Sequence, residues 1–243
     1  MNALQKIKSS SIFLPLVALA ILVIFNIIFV PGFLDVEITQ DGRLYGRIFD
    51  ILNRSSSLII LSLGMTFVIA TAGIDISVGA VVAISGAVCC SIIGGRGDGV
   101  AENPMIVAMI AAVCVGALCG AWNGFLVSKI KIQPMVVTLI LMVAGRGVAQ
   151  LITEGQIITV YYEPFSYIGG NIPGNIIPSP IIIAIIMIAL VLFILKKTSL
   201  GLFIQSVGIN PTASRYAGIN VTLIIFLVYA FSGFCAGVSG LIE

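Results

Sequence analysis

The chain contains no histidine, and charge is scarce: 12 Lys and Arg and 10 Asp and Glu make up 9% of 243 residues. The missing imidazole removes the usual general base and the commonest metal ligand. The easiest enzymatic chemistries go with it. The shortage of charge excludes more, because a soluble chain carries about a quarter charged residues. Too few are present here to cover a water-facing surface. A net charge of +2 is too small to imply a nucleic-acid partner. No lysine directly follows a glycine, so the phosphate loop G-x-x-x-x-G-K-S/T is absent. The chain cannot be its own P-loop ATPase.

Apolar residues fill the space. They make up 59% of the chain, and the mean hydropathy is +1.20. Most of the surface must therefore face lipid. The five cysteines (Cys89, Cys90, Cys114, Cys119 and Cys235) are odd in number and lie in apolar stretches without metal-ligand spacing. They read as small lipid- or helix-facing side chains. No metal site and no catalytic residue is expected.

Each crossing of a bilayer needs ~20 largely apolar residues. Lys6 and Lys8 precede the apolar run Ser11–Val30, which exceeds the ~7–15 residue core of a signal peptide. It reads as a first span that stays. Asp35 to Arg54 is polar and interfacial. The uncharged intervals Arg54 to Asp75, Asp75 to Arg96 and Glu102 to Lys129 each accommodate one crossing. Residues 135–152, interrupted by Arg146, then 180–195 and 221–242 supply three more. The expectation is an all-α integral membrane protein, a polytopic helical bundle of about seven spans, with 1–243 a single transmembrane domain.

Basic residues orient such a bundle. With the amino terminus inside, Lys6, Lys8, Lys129, Lys131, Lys196, Lys197 and Arg215 fall in the cytoplasm. Arg43, Arg47, Arg54 and Arg96 fall on the other side. Small residues recur at every fourth position within spans: Gly79, Ala83 and Ala87; Gly116, Gly120 and Gly124; Gly233 and Gly237. Such stripes let helix backbones approach closely, and a translocation path also needs small faces.

Asp75 is the sharpest single residue. It lies between two spans in a bend that begins at Gly73 and ends at Gly79, where the chain can leave helical geometry. Asp75 and Ser77 are placed to accept hydrogen bonds from the first N–H groups of the next helix. One reading is a capped turn; the other is a broken helix lining a path, with Gly73, Asp75, Ser77 and Gly79 as its candidates. Arg146, flanked by Gly145 and Gly147, is well inside the fifth span and either snorkels outward or pairs within the bundle. The stretch Lys196–Asn220 reads as a loop holding one short helix, capped by Asn210, begun by Pro211 and stopped by Gly218. Ala213, Tyr216 and Ala217 would be its docking side chains.

Three separated motifs carry a resemblance. Gly64-Met65-Thr66 through Gly73-Ile74-Asp75-Ile76-Ser77-Val78-Gly79 resembles the signature of permease subunits of bacterial ATP-binding-cassette sugar importers of the ribose type. Gly116 through Pro134, with Trp122-Asn123-Gly124 and Lys131-Ile132-Gln133-Pro134, is similar to the same family's fourth span and following loop. Ser199-Leu200-Gly201 through Asn210-Pro211 and Ala217-Gly218-Ile219-Asn220 is similar to its cytoplasmic coupling segment. The stretch Gln40–Gly46 and Ile48–Arg54 further resembles the galactofuranose branch.

The resemblance implies a transport subunit of the bacterial inner membrane that does no bond chemistry and binds no cofactor. ATP and Mg²⁺ would sit on a partner ATPase. Its other partners would be a second permease, a periplasmic sugar-binding protein and membrane lipid. Gly208, Asn210, Pro211, Ala213 and Gly218 would couple the chain to the ATPase; Gly73, Asp75, Ser77, Gly79 and Arg146 would border the path. The mechanism implied is alternating access. A branched-chain amino-acid permease and a secondary transporter or channel are the rival readings. Family members continue with further spans past the position of Glu243, so the chain is expected to be the amino-terminal portion of a longer domain, able to insert but not to transport.

The orientation is directly testable. In a version lacking the native cysteines, a cysteine at Tyr162 is expected to react with an impermeant reagent in intact cells. One at Lys131 is expected to react only after lysis. Labelling of both from outside refutes the assignment.

Overall fold

Backbone carbonyl and amide groups have no water to bond inside a bilayer, so a spanning chain must satisfy them within helices. The computed structural model describes residues 13–35, 37–38, 44–94, 104–160, 162–170, 172 and 177–243, and most of them are helical. Lys6, Lys8, Arg43 and Arg96, used above for orientation, lie outside the described residues, as do positions 40–43 of the galactofuranose-like stretch.

The chain divides into two compact units, residues 1–52 and residues 53–243. The first holds helix α1 (Phe13–Phe29), none of whose residues is buried, and a two-residue antiparallel pairing of Glu37–Ile38 with Leu44–Tyr45. It also holds residues 47–52 of α2 (Arg47–Ala70), whose remainder belongs to the second unit. The second unit then adds α3 (Val78–Ile93), α4 (Met105–Phe125, continued as the π-helix Leu126–Ile130), α5 (Pro134–Ile152) and α6 (Glu163–Gly169). Helices α7 (Ser179–Lys197), α8 (Ser199–Ile209), α9 (Pro211–Tyr216) and α10 (Val221–Ile242) complete it.

A helical membrane protein is what these elements make. Among the described residues, five helices are long and apolar enough to cross: α2, α4 with its π-helical extension, α5, α7 and α10. Helices α1 and α3 coincide with expected spans but have 17 and 16 residues, about 25 Å of rise each. Two expectations about boundaries need correction. The second span's helix begins at Arg47, so the end of the polar stretch before Arg54 is already helical. The stretch 196–220 is mainly two helices, α8 and α9, because Leu200, Phe203, Ile204 and Val207 recur at helical spacing and Ile204 and Val207 are buried.

The most extensive helix contact among the described residues of the second unit is between α4 and α10. A Cβ placed on Gly116 would lie 2.7 Å from both the Gly233 carbonyl oxygen and the Gly237 Cα. One on Gly120 would overlap the Tyr229 carbonyl oxygen, and one on Gly124 would lie 2.8 Å from that of Phe226. Two glycine stripes are thus pressed backbone to backbone. Lipid gives helices no hydrophobic reason to associate, so close van der Waals contact of this kind must supply it. Helix α3 joins the pair through Ser85, whose buried hydroxyl donates to the Ala112 and Gly237 carbonyls, each at 3.0 Å. Ser57 of α2 and Ser239 of α10 share a buried hydrogen bond of 2.6 Å.

The third stripe behaves differently. Gly79 and Ala83 are exposed, and a Cβ on Gly79 would meet nothing within 4 Å. Helix α3 mainly buries its neighbouring face instead, through Ala80, Val81, Ile84 and Ser85, and of the stripe only Ala87 is buried. Four-residue spacing located a stripe, but the bulkier adjacent face filled the contact with α5, where Gly145 lies against Ala80 and Ile84.

Two apolar clusters mark opposite ends of this bundle. One gathers Phe67, Val68, Val191, Ile204, Val207, Val221 and Tyr229, with Val127 packed against it. The other gathers Cys89, Ile93, Ala108, Ala112 and Leu241, with Tyr162 and Phe165 packed against it. Lys129, Lys131, Lys196, Lys197 and Arg215 belong to helix ends or surface helices at the first. All five cysteines are free, with Cys89 and Cys235 buried and Cys114 exposed.

The glycine contact predicts opposite signs for two similar substitutions. Gly120→Ala is expected to lower stability by about 1–3 kcal/mol through overpacking. Gly147→Ala, where the added methyl meets nothing within 4 Å, is expected to be neutral or to stabilise by up to about 1 kcal/mol. Thermal unfolding of the solubilised chain reads both; equal effects would refute the close-contact account.

Candidate functional site

Helix α2 stops with its chain still inside the bundle. The Gly73 N–H donates to the Val68 carbonyl at 2.9 Å, and the Ala72 N–H to that of Ile69 at 2.9 Å. This six-residue closure needs a left-handed residue, and Ala72 supplies it at φ 56°, a conformation that costs a non-glycine residue roughly 1–2 kcal/mol. Gly73 follows where no side chain fits: a Cβ there would lie 2.7 Å from the Tyr229 hydroxyl and 3.1 Å from Val68 Cγ1. Five residues, 73–77, then run without helix until α3 begins.

Asp75 is the centre of that break and is buried. Its Oδ1 accepts from the Ser77 N–H at 3.0 Å and from the Ser77 hydroxyl at 2.6 Å. Its Oδ2 accepts from the Ser232 hydroxyl at 3.1 Å. The Ser77 hydroxyl in turn accepts from Asn123 Nδ2 at 2.9 Å, and the Tyr229 hydroxyl donates to the Ile74 carbonyl at 3.3 Å. All three donors to Asp75 are neutral groups. The carboxylate stands just before the amino end of α3, where the helix dipole favours negative charge. Asp75 therefore acts as a cap toward Ser77. The Ser77 side chain does not: it makes no capping bond and is turned to Asp75.

The structure brings Gly73, Asp75 and Ser77 together within one segment, with Gly79 one turn on at an open position. Arg146 is not part of this cluster. It is exposed on α5, and no hydrogen bond or ion pair joins it to another described residue. A guanidinium twelve residues into an apolar helix calls for water, headgroup or protein around it.

The proposed coupling residues separate into two groups. Asn210 caps α9 by accepting from the Ala213 N–H at 3.0 Å, and Gly218 closes it in a left-handed turn at φ 84°, with the Ile219 N–H donating to the Ser214 carbonyl at 3.0 Å. Asn210, Pro211, Ala213 and Gly218 are all exposed. Gly208 is not part of that surface. It faces the end of α2, where a Cβ would overlap the Ala70 carbonyl oxygen.

Three residues of the Asp75 cluster were not singled out from the sequence: Asn123, Tyr229 and Ser232. A signal existed for Asn123, because the span 105–125 otherwise holds no carboxamide or charge. Nothing local marks Ser232, since hydroxyls are common in apolar helices and its partner lies 157 residues away.

Removing the carboxylate tests what holds the break. Asp75→Ala leaves the Ser77 N–H and two buried hydroxyls without their acceptor, at an expected cost of about 2–4 kcal/mol. Asp75→Asn keeps shape and one acceptor and is expected to cost about 1 kcal/mol or less. Unfolding of the solubilised variants reads the difference, and an Ala variant as stable as Asn would show that the cluster does not hold the break.

Comparison with known proteins bears on what this arrangement serves. Residues 47–243 match a family described as branched-chain amino acid transport system / permease component. The galactofuranose transporter permease protein YtfT of Escherichia coli (strain K12) is 46% identical over 93% of this chain and 64% of its own length. The fructose import permease protein FruF of Bifidobacterium longum (strain NCC 2705) is 39% identical over 99% of this chain and 67% of its own. The ribose import permease protein RbsC of Escherichia coli (strain K12) is 34% identical over 94% and 67%. The chain thus spans about two thirds of the length of these relatives, and 64% of the first. No solved structure matches it. With the family match covering all of α2 through α10, the chain belongs to the branched-chain amino acid transport system permease family.

Proposed function

We propose that this chain is the membrane-spanning permease subunit of an ATP-binding-cassette importer that carries a sugar across the bacterial inner membrane. The observation that carries the reading is the similarity, over nearly the whole chain, to three permeases whose names specify galactofuranose, fructose and ribose. Galactofuranose is the first solute to try, since that relative is 46% identical.

In this reading residues 1–243 form one permease domain of seven spans, α1 and α3 being its short members, with the amino terminus cytoplasmic. The lysine-bearing end with α8 and α9 faces the cytoplasm. The exposed turn of Asn210, Pro211, Ala213 and Gly218 docks on a partner ATPase, which holds ATP and Mg²⁺; the chain itself binds no cofactor and performs no bond chemistry. A second permease and a periplasmic sugar-binding protein complete the assembly. Gly73, Asp75, Ser77 and Gly79 border the path at the broken helix, and Arg146 borders it from α5, where a wet path would hydrate its charge. Nucleotide-driven movement of the ATPase displaces α8–α9 and opens the path inward.

The experiment is labelled uptake by cells carrying the chain, extended to its relatives' length with the carboxyl-terminal segment of the galactofuranose permease, together with the ATPase and binding protein. Saturable, ATP-dependent uptake of galactofuranose, ribose or fructose is expected, with none of leucine. The family description names branched-chain amino acids, so leucine uptake alone would replace the sugar reading. Uptake without the ATPase would point to a secondary transporter. A cysteine at Ala213 is expected to crosslink to the ATPase, and one at the exposed Ile110 of α4 is not.

A further inference from the structure

Gly208 and Tyr229 touch the break between α2 and α3 from opposite sides, and neither contact has slack. On one side a surface helix rests backbone to backbone on the last carbonyl of α2, since any side chain at 208 would overlap the Ala70 oxygen. On the other side the fully buried Tyr229 fills the space that a Gly73 side chain would take, 2.7 Å from its hydroxyl. That hydroxyl donates to the Ile74 carbonyl. Between the two contacts lie only residues 70–74, held by the closure on Val68 and Ile69 and by the left-handed Ala72. From Ile74 the hydrogen bonds of Asp75 and Ser77 continue to Ser232 on α10 and Asn123 on α4.

We propose that Tyr229 is a positioning residue that transmits displacement of α8–α9 through the Gly73–Ser77 break to the open Gly79 face of α3. Close-packed contacts pass displacement on because they cannot compress. Hydrogen bonds that have a second arrangement allow the moved state to persist. The cluster contains such an alternative. Asn123 is buried, and its Oδ1 has no hydrogen-bond partner among the described residues; because its Nδ2 already contacts the Ser77 hydroxyl, a turn of the amide together with the hydroxyl would give that oxygen a donor. Asp75 then retains the Ser77 N–H and Ser232. A buried acceptor without a donor is unfavourable by itself, so the resting arrangement holds a group that a shifted one satisfies. The importer reading supplies what would push α8–α9; the linkage itself belongs to this chain.

The test uses the chain alone in bilayer nanodiscs, with native cysteines replaced and a single reporter cysteine at Gly79. Gly208→Ala inserts a methyl against the Ala70 carbonyl and serves as the push. In the Tyr229 background it is expected to change the maleimide reactivity of the reporter by at least about fivefold, the lower end of measured couplings between sites. In the Tyr229→Phe background, which keeps the ring but not the hydroxyl, that change is expected to vanish. A control reporter at the exposed Ile106 of α4 is expected to stay constant throughout; a merely structural loosening would move it as well. Should Gly208→Ala yield no protein, Tyr229→Phe is read alone with a reporter at Ile209, across the Ala70 contact, where a change of similar size is expected. Additive effects in the first design, or an unmoved Ile209 reporter in the second, overturn the relay. Because no ATPase takes part, loss of the importer reading would show as absent uptake with this coupling intact.

Discussion

The contact between the glycine stripes of α4 and α10 is the constraint on which the second unit depends. Gly116, Gly120 and Gly124 meet Gly233, Gly237 and the main chain of Phe226 and Tyr229, so the two backbones touch with almost no side chain between them. In lipid that closeness replaces the hydrophobic effect as the reason for two helices to stay together. It also sets what lies nearby. With α4 and α10 drawn this close, Asn123 and Ser232 face the same gap, and Tyr229 reaches the end of α2. The hydroxyl of Ser85 bonds to carbonyls of both helices, fixing α3 in the remaining groove.

A buried carboxyl group in such a setting needs hydrogen-bond partners. Asp75 has three hydrogen bonds from neutral donors and a position before the amino end of α3. Those contacts give both of its oxygens donors inside the protein. The same arrangement makes the break a well-defined element: the closed end of α2, a bend with no space for a side chain at Gly73, a carboxyl group bonded to Ser232 of α10, and a Ser77 hydroxyl bonded to Asn123 of α4. Irregular backbone at membrane depth is tolerated where protein encloses it. Here the enclosure is built from α4 and α10.

The break makes contacts on two sides. Toward the surface, Gly208 connects it with α8 and α9; toward the interior, hydrogen bonds connect it with the packed pair. Gly79 lies beyond, where α3 is uncovered. Arg146, exposed on α5, calls for surroundings where a charge meets water or headgroups rather than hydrocarbon.

Much of this was legible in the chain itself. Uncharged intervals marked the helices, because burying a charge in lipid is unfavourable enough to leave a clear gap in the sequence. Asn210, Pro211 and Gly218 announced α9, because caps and left-handed turns are local chemistry. The stripes 116–120–124 and 233–237 are visible as spacing, but not that they face each other, and the stripe at 79, 83 and 87 has the same spacing although its first two members are uncovered. Spacing says which residues share a face; what that face meets depends on helices distant in sequence. The same holds for the Asp75 cluster. Residue type and flanking glycines singled out Asp75, whereas Asn123, Tyr229 and Ser232 gained their roles only when α4 and α10 closed on the break, since a hydrogen bond spanning 157 residues leaves no local trace.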